Sequence, residues 1–185
     1  MNKFNQARLK YKPKKIEYLL VAETPPQINS NRFFYFENVY KQDSLFLETM
    51  KFLYPYDTQY IDTKIIRSMK KSFLEKFKQD GFYLIDSLDK PFERKYSTMQ
   101  KVKLLINGQH QLLSKIKGLL SMDTKVILIA APVYKANFNF LTENGIPVIN
   151  KELIDFPGSG GQKKYRQKMK SIINIPPLCK KVGMG

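Results

Sequence analysis

The sequence predicts a three-layer α/β/α domain around a short, mainly parallel four-stranded sheet. Short apolar runs of strand length alternate along the chain with segments of helical periodicity. The clearest run is continuously apolar rather than alternating, which is typical of a parallel strand covered on both faces. With 185 residues, of which 43% are hydrophobic, the chain is long enough to bury the core of one domain.

The predicted strands come from the apolar runs and their boundaries. The first run ends at the rigid sequence Glu23-Thr24-Pro25-Pro26, where the prolines stop further pairing. The third, KVILIAA, is the strongest strand signal in the chain. The four predicted strands are residues 16–21, 82–85, 125–131 and 146–149.

Helical periodicity separates these strands. Apolar residues repeat at three- and four-residue spacing, with Gly81 and Asn144-Gly145 as stop signals. Gly108 lies near the middle of the longest helical segment, where it can break or bend the helix. The predicted helices are residues 44–53, 62–79, 97–120, 132–142 and 162–173.

Charge is concentrated at the two ends of the chain. The formal net charge is +16, and residues 1–15 and 156–185 contribute +13 of it without a single acid. We therefore divide the chain into a basic N-terminal arm (1–15), one α/β domain (16–175) and a C-terminal tail (176–185). A near-neutral body with basic ends is typical of a protein that binds a polyanion such as DNA or RNA. The alternative is that basic ends only aid solubility.

Composition excludes several classes of protein. Cys179 is the single cysteine and His110 the single histidine, so a disulfide framework, a cysteine-ligated cluster and a His-based triad are not expected. We expect no metal and no cofactor. No apolar run approaches the roughly 20 residues that span a bilayer, and the first ten residues have no signal-peptide core. The sequence thus predicts a cytoplasmic protein, without a membrane partner and monomeric.

Carboxylates follow the first two predicted strands. In an open parallel sheet, ligands bind outside the carboxyl ends of the strands, so Glu23 and Asp86 are expected at one crevice. The loop stiffened by two prolines would hold Glu23 as a general base that orients a water molecule. Alternatively, Glu23 caps a turn or pairs with a lysine, and Asp86 caps the turn at Ser87.

An aromatic segment, NRFFYFENVY, occupies residues 31–40 and is predicted to be a loop. Aromatic side chains in such a loop are candidates to stack on a nucleobase, and we single out Phe33 and Tyr35. The alternative is that these rings cover a face of the core.

A glycine-rich segment leads into the last predicted helix. Free backbone N–H groups and the positive end of the helix dipole favour a phosphate there, and the first helical turns add lysine and arginine. The spacing is not that of a Walker A loop, because Lys163 follows Gln162 and Lys164 precedes Tyr165. The segment is either a nucleic-acid backbone clamp or a plain turn. The residues predicted to bind nucleic acid are Gly158, Ser159, Gly160, Gln162, Lys163, Lys164 and Arg166.

Together these strand ends resemble the uracil-DNA glycosylase superfamily over about residues 16–173. The resemblance rests on Val21-Ala22-Glu23-Thr24-Pro25-Pro26 after the first strand, Tyr83-Leu84-Ile85-Asp86 at the second, 126–131 at the third, and Phe156-Pro157-Gly158-Ser159 before a basic helix. Phe156 stands where the family often has a His, and Asp86 stands near a common Asn position.

The resemblance implies hydrolysis of the N-glycosidic bond to a flipped base, without a metal. Glu23 would position the attacking water, Asp86 would read the base edge, and Thr24, Pro25, Phe33 and Tyr35 would contact the substrate. Two alternatives stay open: a nucleic-acid-binding module of the same fold without catalysis, and an α/β protein whose basic ends contact a protein or membrane surface.

Overall fold

The computed structural model describes residues 2–158 and 160–173. These residues form a mixed α/β fold around a small parallel sheet. Its three strands are β1 (Tyr18–Ala22), β2 (Phe82–Asp86) and β3 (Lys125–Leu128), in the order β2-β1-β3. Both pairings are parallel, with Leu20 opposite Leu84 on one side and Ile127 on the other. The predicted α/β class and the three strongest strands are therefore confirmed.

Helices account for most of the remaining chain. One group of packed helices contains α6, α7 and α8, and a second contains α2, α3, α4 and α9. Segment 97–120 is broken at Gly108, where a Cβ atom would lie 2.5 Å from the Leu88 side chain. The helices are α1 (Lys3–Lys10), α2 (Ser44–Leu53), α3 (Pro55–Thr58), α4 (Thr63–Ser68), α5 (Lys70–Gln79), α6 (Thr98–Asn107), α7 (Gln109–Lys117), α8 (Ala131–Glu143) and α9 (Gln162–Ile172).

The predicted fourth strand, residues 146–149, does not form. Val148 makes one isolated parallel bridge with Val126, and Ile154 makes another with Ile129. Between these bridges the buried side chain of Asn150 pairs with the β3 backbone: the Leu128 amide donates to Asn150 Oδ1 over 2.9 Å, and Asn150 Nδ2 donates to the Leu128 carbonyl over 3.2 Å. The side-chain amide of Asn150 thus replaces the peptide group that a fourth strand would present to Leu128. The backbone around Asn150 therefore need not continue as a strand.

The predicted N-terminal arm belongs instead to the folded domain. Asn2 caps α1 by accepting a hydrogen bond from the Asn5 amide, and Phe4 and Tyr11 are buried in the core. Arg8 forms a buried ion pair with Asp86 at the end of β2. Phe4, Ala7 and Tyr11 follow helical spacing, but the six basic residues of this stretch outnumber them, so the charge pattern alone did not indicate a packed helix.

The aromatic segment covers the outer edge of β2. Leu84 of this edge strand turns its peptide groups away from β1, and the Tyr35 hydroxyl accepts from the Leu84 amide over 2.6 Å and donates to the Leu84 carbonyl over 3.1 Å. Lys115 Nζ donates to the Asp86 carbonyl over 3.1 Å. These contacts give hydrogen-bond partners to backbone groups that the sheet itself leaves unpaired. They also cover a strand edge that would otherwise be free to pair with another chain.

A buried ion pair between Lys70 and Asp43 also holds the aromatic segment in place. Lys70 is fully buried, and its Nζ donates to Asp43 Oδ2 over 2.6 Å and to the Phe33 carbonyl over 3.1 Å. Burial lowers the pKa of Lys70 and raises that of Asp43, while their mutual attraction opposes both shifts. One ammonium group thereby ties together the two ends of the stretch from Phe33 to Asp43.

Candidate functional site

A crevice of about 370 Å³ lies at the carboxyl ends of β1 and β2. Its lining includes five predicted site residues: Glu23, Thr24, Pro25, Phe33 and Asp86. The two strand ends stay together beyond the sheet, because the Ser87 amide donates to the Ala22 carbonyl over 2.8 Å. The parallel arrangement therefore places the predicted carboxylates in one crevice.

Glu23 lies on the wall of this crevice with its side chain 20% exposed. Its Oε2 accepts a hydrogen bond from Lys101 Nζ on α6 over 2.8 Å. Within residues 2–158 and 160–173, Oε1 has no hydrogen-bond donor, so it can accept a proton or a hydrogen bond from a molecule in the crevice. The alternative that Glu23 pairs with a lysine is thus realised, and one carboxylate oxygen is still available.

Asp86 lies deeper, with 4% of its surface exposed, and forms an ion pair with Arg8. Burial raises the pKa of Asp86 to about 6, and the positive charges of Arg8 and Lys115 oppose this shift. Arg8 Nε is buried without a hydrogen-bond partner, and the guanidinium lies 5.5 Å from the Phe33 ring centroid. The carboxyl group can therefore exist in either protonation state at mildly acidic pH.

The two predicted stacking residues have different surroundings. Tyr35 is 1% exposed and does not line the crevice, so the structure does not bring its ring to a base bound there, and its stacking role stays a prediction. Its hydroxyl is used at the edge of β2, as described above. Phe33 lines the crevice but is buried against Phe4, with ring centroids 5.0 Å apart, so its stacking role stays a prediction.

The glycine-rich segment contributes less to the crevice than predicted. Its internal turns use the amides of Gly158 and Gly161, which donate to the carbonyls of Phe156 and Gly158. Gly160 has a φ of +80°, a conformation that glycine adopts without strain. Of the described residues of this segment, only Phe156, which is 46% exposed, lines the crevice. Ser159 lies outside the described residues.

The basic residues of α9 divide into two kinds. Lys163 and Lys164 are exposed, next to the half-buried Gln162, and all three remain candidates for phosphate contacts. Arg166 instead forms an ion pair with the buried carboxylate of Glu48 on α2. That contact holds α9 against α2 and engages the charge of Arg166, whose predicted role in binding nucleic acid stays a prediction.

Arg8 and Lys101 pair with crevice carboxylates, Arg8 with Asp86 and Lys101 with Glu23, and the sequence assigned neither partner. Lys101 belongs to a predicted helix whose apolar stripe was recognised, but nothing in its spacing identifies Glu23 as its partner. A larger hollow of about 1120 Å³ lies along residues 27–42 and contains no strand-end residue, so the crevice is the better candidate site.

The described part of the chain also limits other chemistry. Residues 2–158 and 160–173 contain no group of three or more His, Cys, Asp or Glu side chains arranged to hold a metal ion. No helix among those residues is long and apolar enough to cross a membrane.

The fold and the site define a mixed α/β domain with a carboxylate-lined crevice at the carboxyl edge of a parallel sheet. No protein-family model, curated protein or solved structure matches this chain.

Proposed function

We propose that this protein binds DNA, takes a flipped base into the crevice and hydrolyses its N-glycosidic bond. The observation that supports this most is the convergence of Glu23 and Asp86 in one crevice of about 370 Å³. That volume lies within the roughly 300–1,000 Å³ of small-molecule sites. The proposal includes a three-layer fold similar to that of uracil-DNA glycosylases, a monomeric state and a cytoplasmic location, and it needs no cofactor.

In the proposed reaction, Glu23 acts on a water molecule through its available Oε1. The water oxygen forms a bond to C1′ of the sugar, its proton passes to the Glu23 carboxylate, and the bond from C1′ to the base breaks with its electron pair on the base. Lys101 holds Glu23 in position through Oε2. Asp86 would accept a hydrogen bond from the edge of the base when ionised and donate one when protonated.

A panel of oligonucleotides bearing uracil, hypoxanthine, xanthine or a G·T mismatch tests this reaction, with alkali to cleave abasic sites. We expect strand cleavage with the wild-type protein and a loss of about 10²–10⁴-fold in Glu23→Gln, because a general base contributes that much. Glu143→Gln, at the exposed end of α8, is the matched control and should cleave like wild type. Equal cleavage by Glu23→Gln and wild type would overturn the role of Glu23.

The second candidate function is binding of DNA or RNA without hydrolysis. It is favoured by one observation: all three carboxylates that line the crevice are already engaged, Glu23 with Lys101, Asp86 with Arg8 and Asp43 with Lys70. This candidate predicts salt-dependent binding and no abasic product from any substrate in the panel.

A further inference from the structure

The loop of residues 87–97, between β2 and α6, packs beside the crevice without lining it, and it contacts the crevice wall at Gln27. Gln27 Nε2, from the wall that carries Glu23, donates a hydrogen bond to the Phe92 carbonyl. Lys101 Nζ lies 5.3 Å from the Phe92 ring centroid while it binds Glu23. These contacts connect the loop directly to the proposed catalytic carboxylate.

Exposed cations and aromatic rings are interleaved on this loop. Lys90, Arg94 and Lys95 are exposed, and none of them forms an ion pair with another described residue. Phe92 and Tyr96 are half-buried, with ring centroids 5.7 Å apart at 78°, and the Arg94 guanidinium lies 5.3 Å from the Tyr96 centroid. Contacts with neighbouring side chains thus hold the two rings in place, while the charged groups of Lys90, Arg94 and Lys95 are exposed to solvent.

This combination fits a single strand of nucleic acid better than a duplex. Phosphates are attracted by unpaired lysine and arginine, and unpaired bases stack on aromatic rings and on guanidinium planes. A base-paired duplex hides its base faces, so it could use only the charges. In the described part of the glycine-rich segment, the turns use the amides of Gly158 and Gly161 internally. The exposed Lys163 and Lys164 that follow have only the fully buried ring of Tyr165 beside them.

We propose that residues 90–96, the rim loop, bind a single-stranded stretch of nucleic acid beside the crevice. Lys90, Arg94 and Lys95 contact phosphates, and a base stacks on the layer formed by Tyr96 and Arg94. The inference rests on the proposed function, since it assigns the partner of the same crevice. It assigns the strand contact to the β2–α6 connection rather than to the start of α9.

The chain contains no tryptophan, which permits a direct test of stacking. Tyr96→Trp places the single indole of the protein in the rim loop, and Tyr60→Trp places it at a 90% exposed control position outside the crevice lining. Each protein is titrated with fluorescein-labelled dT12, an abasic oligonucleotide of the same length and a duplex. Anisotropy reports binding, and tryptophan emission reports stacking.

We expect dT12 to quench Tyr96→Trp at the concentrations where anisotropy rises, with little quenching by the abasic strand or in Tyr60→Trp. Arg94→Ala/Lys95→Ala should weaken binding about 10-fold or more at low salt. It should also lower the slope of log affinity against log salt by about 1.4, since each phosphate contact on a single strand contributes about 0.7. Lys12→Ala/Lys14→Ala, which removes two exposed lysines elsewhere, controls for net charge.

Two results overturn this inference in distinguishable ways. If dT12 binds but Tyr96→Trp is quenched no more than Tyr60→Trp, or if Lys163→Ala/Lys164→Ala loses more affinity than Arg94→Ala/Lys95→Ala, the rim loop is not the binding surface and the proposed function stands. If the wild-type protein binds no oligonucleotide at any salt concentration, the inference and the proposed function both fail.

Discussion

Replacing Arg8 by Met should make the stability of this protein strongly dependent on pH. In the wild type, burial raises the pKa of Asp86 from 3.8 to about 6 despite the adjacent guanidinium. A shift of that size corresponds to about 3 kcal/mol, at about 1.36 kcal/mol per pKa unit. Because the folded-state pKa lies above the unfolded value, the folded protein binds more protons between about pH 4 and 6. The contribution of Asp86 to the free energy of unfolding therefore falls as the pH rises through that range.

Arg8→Met removes the main charge that opposes the effect of burial. The pKa of Asp86 should then rise above 6, and the pH range in which stability falls should extend upward. At pH 5 the Asp86 side chain is largely neutral in both proteins, so the two should differ little. At pH 8 the variant retains a buried carboxyl group without its partner, and breaking a buried ion pair in this way costs about 3–5 kcal/mol.

Urea denaturation at pH 5 and pH 8 measures these effects in four proteins: wild type, Arg8→Met, Asp86→Asn and the double variant. Asp86→Asn leaves Arg8 buried without a carboxylate, so it should be destabilised at pH 8 and much less at pH 5, where Asp86 is already largely neutral. The double variant buries no unpaired charge, so it should be more stable at pH 8 than the two single changes would give by addition. Additive changes, or equal destabilisation of Arg8→Met at pH 5 and pH 8, would refute the reasoning.

Two further contacts give predictions of their own. Tyr35→Phe removes both hydrogen bonds to Leu84 at the edge of β2, so it should lower the free energy of unfolding by about 1–3 kcal/mol and speed hydrogen exchange of the Leu84 amide; unchanged exchange would contradict the edge-covering role. Lys70→Met leaves Asp43 buried without its partner and the Phe33 carbonyl without its donor, so it should lower the free energy of unfolding, measured in urea, by about 3–5 kcal/mol. Adding Asp43→Asn should restore most of that loss. A double variant as unstable as Lys70→Met would argue against the ion pair.

Local sequence signals predicted the elements well where each element depends on its own residues. Helix α2 has the predicted bounds, because its apolar periodicity is complete within Ser44–Leu53. The long helical segment breaks at Gly108, as expected, and the close approach of Leu88 leaves no room there for a side chain. In such helical segments, the apolar periodicity and the residues that end the helix lie within the segment itself, so both can be recognised from the local sequence.

The fourth strand failed because pairing depends on a partner and not only on apolar character. Residues 146–149 have the composition of a strand, yet only Val148 bridges to β3. The buried amide of Asn150 takes the next backbone partners, Leu128 N–H and C=O. Sequence periodicity does not distinguish an Asn that follows a strand from an Asn whose side chain takes over the backbone hydrogen bonds of a strand.

The crevice itself was predictable, since parallel strands bring their carboxyl ends to one edge and Glu23 and Asp86 follow two neighbouring strands. The hydrogen bonds and ion pairs that the side chains form around the crevice were not predictable. Tyr35 lies 49 residues from Leu84, its hydrogen-bonding partner, and its ring could equally have faced solvent.

The sequence by itself determined the α/β class, the strand runs and the edge of the sheet where the carboxylates meet. Only the tertiary structure decided the partners and the access of those carboxylates, because Arg8–Asp86 and Lys101–Glu23 each join residues 78 positions apart. Hydrophobic period is a local property that can be read residue by residue. An ion pair across the fold depends on how helices α1 and α6 pack against the sheet, and that packing is settled by the whole core at once.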